Sequence, residues 1–168
     1  MKGFIISVLL ALSSANALAH DSASFPNGDY CTVGGNHHQK IRCTNKNASK
    51  WNTAYIQKTS GGLPGDYALG QLSPSPNGKY LYFEGPGGAT MGSVYRLNMN
   101  TDKVTNFMGG DLDCVVLGGP YKGDLIIRSQ SFYLGGGSYF PINLFTPAGK
   151  NEGRLLKPTH CTTFGEYN

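Results

Sequence analysis

Four histidines, four cysteines and ten carboxylates are the residues of this 168-residue chain with chemistry to offer. Gly136-Gly137-Ser138-Tyr139-Phe140 comes nearest to a hydrolase elbow. That turn needs Gly-x-Ser-x-Gly to strain the backbone and expose the hydroxyl, and the spacing here fails. Gly118 to Asp124 has the glycines of a phosphate loop, but an aspartate stands where a lysine must meet phosphate. Asp111 and Asp113, two apart on a strand, would share a face and could form an acid–base pair. Beside Gly109-Gly110 they read better as turn residues or a weak calcium loop. No nucleophile–base pair emerges, so the expectation is a protein that is not an enzyme, with no catalytic residue and no cofactor.

Metal chemistry has one opening. Cleavage after Ala19 would make His20 the first residue, offering an amine and an imidazole nitrogen in one chelate. One further histidine, from His37, His38 or His160, would complete a copper site. Neighbours on a strand point to opposite sides, so His37 and His38 could not easily both be ligands. The plainer reading, which expects no metal, makes His20 part of a loose leader running to Asn27. The cysteines lack the Cys-x-x-Cys pairs that zinc sites use. Cys31, Cys43, Cys114 and Cys161 all follow the proposed cleavage point, and an even count in an exported chain predicts two disulfides. Three connectivities exist; local closure favours Cys31–Cys43 and Cys114–Cys161.

The export expectation rests on Met1 to Ala19: Lys2, the apolar run Phe4 to Leu12, and the small-x-small site Ala17-Leu18-Ala19. The run is too short to cross a bilayer, which takes about 20 residues. The expected location is therefore periplasmic or extracellular, with no membrane span and one domain over 20–168. The formal net charge is only +4, which implies no nucleic acid. Lys40, Arg42, Lys46, Lys50 and Lys58 read as a solvated face before they read as a site for an anionic partner.

Glycine is abundant, 24 of 168 residues, which favours strands joined by turns. No stretch carries a helical stripe. Short strands are predicted over Tyr30–Val33, Ile41–Thr44, Thr53–Gln57 and Asp66–Leu72. Ser73-Pro74-Ser75-Pro76 should be a corner that no central strand passes through. Then a pattern recurs. Ser75-Pro76-Asn77-Gly78-Lys79-Tyr80-Leu81-Tyr82-Phe83 is a turn and a strand, followed by a glycine-rich loop, Val94 to Asn98, the turn Asn100 to Lys103, and Val104 to Phe107. Gly119 to Ile127 opens a second copy, completed by a glycine-rich loop, Phe140 to Phe145 and the turn Thr146 to Lys150. Gly78 and Gly123 lie 45 positions apart, the length of a propeller blade. With a weaker blade over Tyr30–Lys58, the expected fold is all-β: about three antiparallel blade-like sheets, an incomplete, disulfide-stapled propeller. A closed ring needs about four blades. Three leave an open stack, or one completed by a homodimer, with a strand edge to offer.

Leu69 to Leu156 resembles the blades of WD40-like and TolB-like propellers, through Ser75–Tyr80, Val94–Leu97 and Thr101–Val104. Gly119–Gly123 and Leu134–Tyr139 look like segments of small uncharacterised exported bacterial proteins. Tyr80 to Asn98 also resembles periplasmic immunity proteins against type VI secretion amidases, in which a loop between two such strands enters the toxin's cleft. That resemblance implies a non-enzymatic inhibitor of a peptidoglycan-degrading enzyme, acting through Gly85–Ser93, with Gly87, Gly88, Thr90 and Ser93 at the contact. Leu134–Tyr139 holds the equivalent place in the next copy, which adds Ser138 and Tyr139. The two loops are expected on one edge. Tyr80 and Tyr82 should share one strand face and Leu81 and Phe83 the other. Leu81 and Phe83 belong in the core, and the tyrosines suggest a binding surface.

Overall fold

The computed structural model describes residues 22–34, 39–44, 52–56, 69–87, 91–155 and 161. The export segment, His20, His37, His38, His160, Gly88 and Thr90 lie outside these, as do Lys46, Lys50, Lys58 and the first three residues of Asp66–Leu72. Among the described residues every regular element is a strand. No helix among them is long and apolar enough to cross a membrane.

Three four-stranded antiparallel sheets follow the order of the chain. The first holds β1 (Ser22–Ser24), β2 (Tyr30–Gly34), β3 (Lys40–Thr44) and β4 (Asn52–Ile56). The second holds β5 (Gly70–Pro74), β6 (Tyr80–Gly85), β7 (Ser93–Asn98) and β8 (Lys103–Gly109). The third begins with β9 (Asp111–Val115) and β10 (Leu125–Arg128). A separate two-stranded hairpin follows, β11 (Ser131–Phe132) and β12 (Ser138–Tyr139), before β13 (Ile142–Phe145) and β14 (Asn151–Arg154) complete the third sheet.

Turns of different length, closed by the same pair of backbone bonds, join the first two strands of all three blades. In the second, Ser75 N–H donates to the Tyr80 carbonyl at 2.8 Å and Gly78 N–H to the Ser75 carbonyl at 2.9 Å. In the third, Val116 N–H donates to Asp124 and Gly123 N–H to Val116, both at 2.8 Å. The first blade repeats this through Phe25 N–H to Asp29 and Gly28 N–H to Phe25, at 2.8 and 2.9 Å. Gly28, Gly78 and Gly123 all sit at positive φ, where a side chain would strain the backbone. Phe25-Pro26-Asn27-Gly28-Asp29-Tyr30 is thus a third copy of Ser75–Tyr80. It lies where the sequence alone suggests a loose leader, because Ser-Ala-Ser is too short and polar to announce a strand.

The blades pack face to face. Phe25, Cys31, Ile41, Leu72, Leu81, Phe83 and Leu97 form the core between the first and second. Tyr82, Val94, Leu112, Val115, Leu125 and Ile127 form the core between the second and third. β1 lies against β5, and β5 against β9, so these are the inner strands. Among the described residues no pairing closes the stack into a barrel. The alternation expected along β6 holds, with a different consequence. Both faces of the middle blade are core, so Tyr82 is fully buried and cannot belong to a binding surface. The corner starts two residues later than Ser73: β5 ends at Pro74, which pairs with Leu81, and the turn follows from Ser75. No central strand passes through it, since β5 is an edge strand needing no donor on its far side.

The two ends of the stack differ. The outer face of the first blade carries Thr32, Lys40, Arg42 and Thr44, which alternate with core residues Cys31, Ile41 and Cys43 and cap it with polar groups. The outer face of the third carries Val116, Ile126 and Leu144, all buried. Both disulfides expected from local closure are present. Cys31 and Cys43 face each other across β2 and β3, and Cys114 holds Cys161.

Candidate functional site

The β11–β12 hairpin stands outside all three cores. Tyr133 N–H donates to the Gly137 carbonyl and Gly136 N–H to the Tyr133 carbonyl, both at 3.1 Å. Gly136 and Gly137, at φ 91° and 84°, let the chain reverse there. The Tyr133 and Tyr139 rings meet at 4.7 Å, and the Arg154 guanidinium lies 5.8 Å from the Tyr139 ring centre, which ties the hairpin to β14. Even so, its large side chains stay open to solvent: Phe132 is 72 % exposed, Tyr133 59 % and Leu134 fully. Phe140 follows at 50 %. Four large apolar side chains clustered on one short projection are costly in water and are the kind of patch that marks an interface.

The β6–β7 connection holds the corresponding place in the middle blade, joining its second and third strands. Its base is pinched. Tyr95 Oη–H donates to the Pro86 carbonyl at 2.5 Å, and a Cβ on Gly87 would lie 2.4 Å from the Gly92 carbonyl carbon. Gly87 is therefore required by the crossing of the loop ends. Ser93 begins β7 opposite Gly85 and Gly109 and is 6 % exposed, so its hydroxyl is largely withdrawn from any partner. Ser138 is exposed and Tyr139 half-buried on the hairpin. Gly110 links the two connections: its N–H donates to the Gly92 carbonyl at 3.0 Å, and its backbone abuts the Arg128 carbonyl.

Carboxylates collect where the second and third blades join. Glu84 accepts a hydrogen bond from Leu112 N–H, bridging β6 to β9, and Asp113 pairs with Arg128 at 3.6 Å. Asp111 and Asp113 do not follow simple alternation. Leu112 and Cys114 face successive residues Ile127 and Ile126, so Asp113 is the extra residue of a β-bulge. Among the described residues no group of three or more such side chains could hold a metal ion.

Burial holds the Glu84 carboxyl above its ordinary range; the Leu112 N–H opposes this, and Asp111 and Asp113 add to it. Burial also raises Asp113, against the pull of Arg128, and Asp124. A raised carboxyl favours the fold below its unfolded pKa, and that contribution is lost as pH rises through the folded value. Glu84→Gln keeps an oxygen for Leu112 N–H and removes the buried charge. The expected result is a Tm roughly 2–4 °C above wild type at pH 7.5 and a smaller gap below pH 4.5, measured by thermal melts across pH.

Fold and site together define an open, disulfide-stapled stack of three blade-like four-stranded sheets that bears a projecting aromatic hairpin. No family model, curated protein or solved structure matches the chain.

Proposed function

We propose that the protein is an exported, non-enzymatic binding module that occludes the cleft of a protein partner, with a peptidoglycan-degrading enzyme as the class of partner. The observation that carries this reading is the exposed cluster Phe132, Tyr133, Leu134 and Phe140 on the β11–β12 hairpin. A short projection with Tyr133 and Leu134 at its turn and Phe132 and Phe140 beside its strands suits insertion into a concave surface. Aromatic anchors of this kind dominate interface energetics. Arg154 and the Tyr133–Tyr139 contact hold the hairpin before any partner arrives, which lowers the ordering cost of binding. The reading moves the main contact from the β6–β7 loop to its counterpart one blade on. Two disulfides agree with an oxidising compartment.

The test is capture from the native envelope, followed by an assay of the captured protein on purified peptidoglycan. Wild type is expected to retain a hydrolase and inhibit it. Leu134→Arg should weaken both effects at least roughly tenfold with an unchanged Tm, because Leu134 touches no core. Equal capture and inhibition by Leu134→Arg would overturn the assignment to the hairpin. A hydrolase neither captured nor inhibited by wild type would overturn the function.

A further inference from the structure

The three repeated turns converge at one end of the inner strands. Phe25, Ser75 and Val116 hold the same place in them, each donating the N–H that closes its turn. The next residues, Pro26, Pro76 and Leu117, line a single cleft of about 580 Å3, with Leu72, Pro74 and Val115 also in its wall. All three blades thus contribute quasi-equivalent residues to one cleft. The Cys114–Cys161 bridge forms part of the wall as well. Three proline rings and a disulfide make the wall stiff, so the cavity exists before any ligand arrives. Its volume lies in the range of small-molecule sites.

Charge gives the cleft a direction. Among the described residues Asp113 is the one charged residue in the lining, brought there by the bulge in β9. Asp113 pairs with Arg128 at 3.6 Å, and Asp111 and Glu84, the latter bonded to Leu112 N–H, lie near it. Among the described residues, three carboxylates with one paired guanidinium leave this end negative. Elsewhere the lining is largely apolar, and Leu117, 49 % exposed, stands at the rim.

We propose that this axial cleft binds a small amphiphile, its apolar body against Leu72, Val115 and Leu117 and a single cationic head at Asp113. A neutral head would forgo the charge at that end, and an anionic head would be repelled by it. The site is separate from the hairpin, so it stands or falls independently of the proposed partner.

The test uses the oxidised full chain and three probes with one body: 4-phenylbutylamine, 4-phenylbutanol and 4-phenylbutyrate. Binding is followed by NMR. Saturable shifts at Leu72, Val115 and Leu117 are expected, with the amine bound about fivefold more tightly than the alcohol and the carboxylate weakest. Leu117→Arg should abolish the shifts, and Asp113→Asn should bring the amine-to-alcohol ratio close to one. Equal affinity for amine and alcohol in wild type would overturn the proposal. So would amine shifts located away from these three residues, which wild type alone decides if Leu117→Arg fails to fold. Absence of saturable binding by all three probes would overturn it outright.

Discussion

Gly110→Ala is expected to destabilise the protein by about 3 kcal/mol, lowering its Tm by on the order of 10 °C. The chain passes from the outermost strand of the second blade to the innermost strand of the third through this one residue. Its φ is 136°, a region that side chains rarely adopt. A Cβ there would lie 2.7 Å from the Arg128 carbonyl oxygen and 2.9 Å from Ile127 Cγ2. The oxygen belongs to backbone in the β10 ladder, so it cannot yield without disturbing the blade. Moving Gly110 would also disturb its N–H bond to Gly92 and with it the base of the β6–β7 loop. The neighbouring glycine is the control. Gly109 has ordinary φ, and a Cβ on it would meet nothing within 4 Å. Gly109→Ala should stay within about 0.5 kcal/mol of wild type. Urea or thermal unfolding of the pair separates a specific backbone requirement from general dislike of substitution at the joint; equal effects would remove the argument.

Much of this architecture is written in short-range signals. Turn chemistry at Gly78 and Gly123 marks two blades, and closure between near cysteines predicts both disulfides. Alternation along Tyr80–Phe83 is legible too, but what covers each face is not. Only stacking of the blades turns both faces of β6 into core and buries Tyr82. The first blade's turn carries the same Pro-Asn-Gly as the second, 50 positions earlier, and it could have been found by searching for that triplet. The hairpin is harder to see. Each of its strands has two residues, too few for a period, and the only hint is a glycine run between the aromatic pairs Phe132-Tyr133 and Tyr139-Phe140. The bulge at Asp113 leaves no local mark, since it arises from register against β10. The axial cleft is less visible still, because its residues are distant in sequence and meet only when three turns converge.

Removing the Cys114–Cys161 bridge is expected to have a larger effect than removing Cys31–Cys43. The bridge spans 47 positions and the Cys31–Cys43 bridge 12. Loop-closure entropy assigns them about 4 and about 3 kcal/mol, each a large part of the roughly 5–15 kcal/mol available to a small domain. Their structural consequences should differ in kind. Cys31–Cys43 joins strands already paired in register, inside a core held by Ile41, Leu81 and Phe83. A Cys31→Ala, Cys43→Ala protein should unfold more readily yet keep its native surface. Cys114–Cys161 instead returns the chain end to the third blade, where the Cys161 carbonyl also accepts Leu117 N–H at 2.9 Å. Cys114 packs at the outer face that carries Val116, Ile126 and Leu144, beyond which no further sheet stands among the described residues. Cys114→Ala, Cys161→Ala should therefore loosen the cover of that face while the other two cores persist. Binding of a hydrophobic dye at temperatures below the melt, together with hydrogen exchange at Ile126 and Leu144, distinguishes the two variants. Raised dye binding and faster exchange only in the Cys114/Cys161 variant are expected. Equal behaviour would mean that the outer face is covered without the bridge. The asymmetry has a physical origin: an open stack has two ends, and this chain finishes one with polar side chains and the other with a covalent tie.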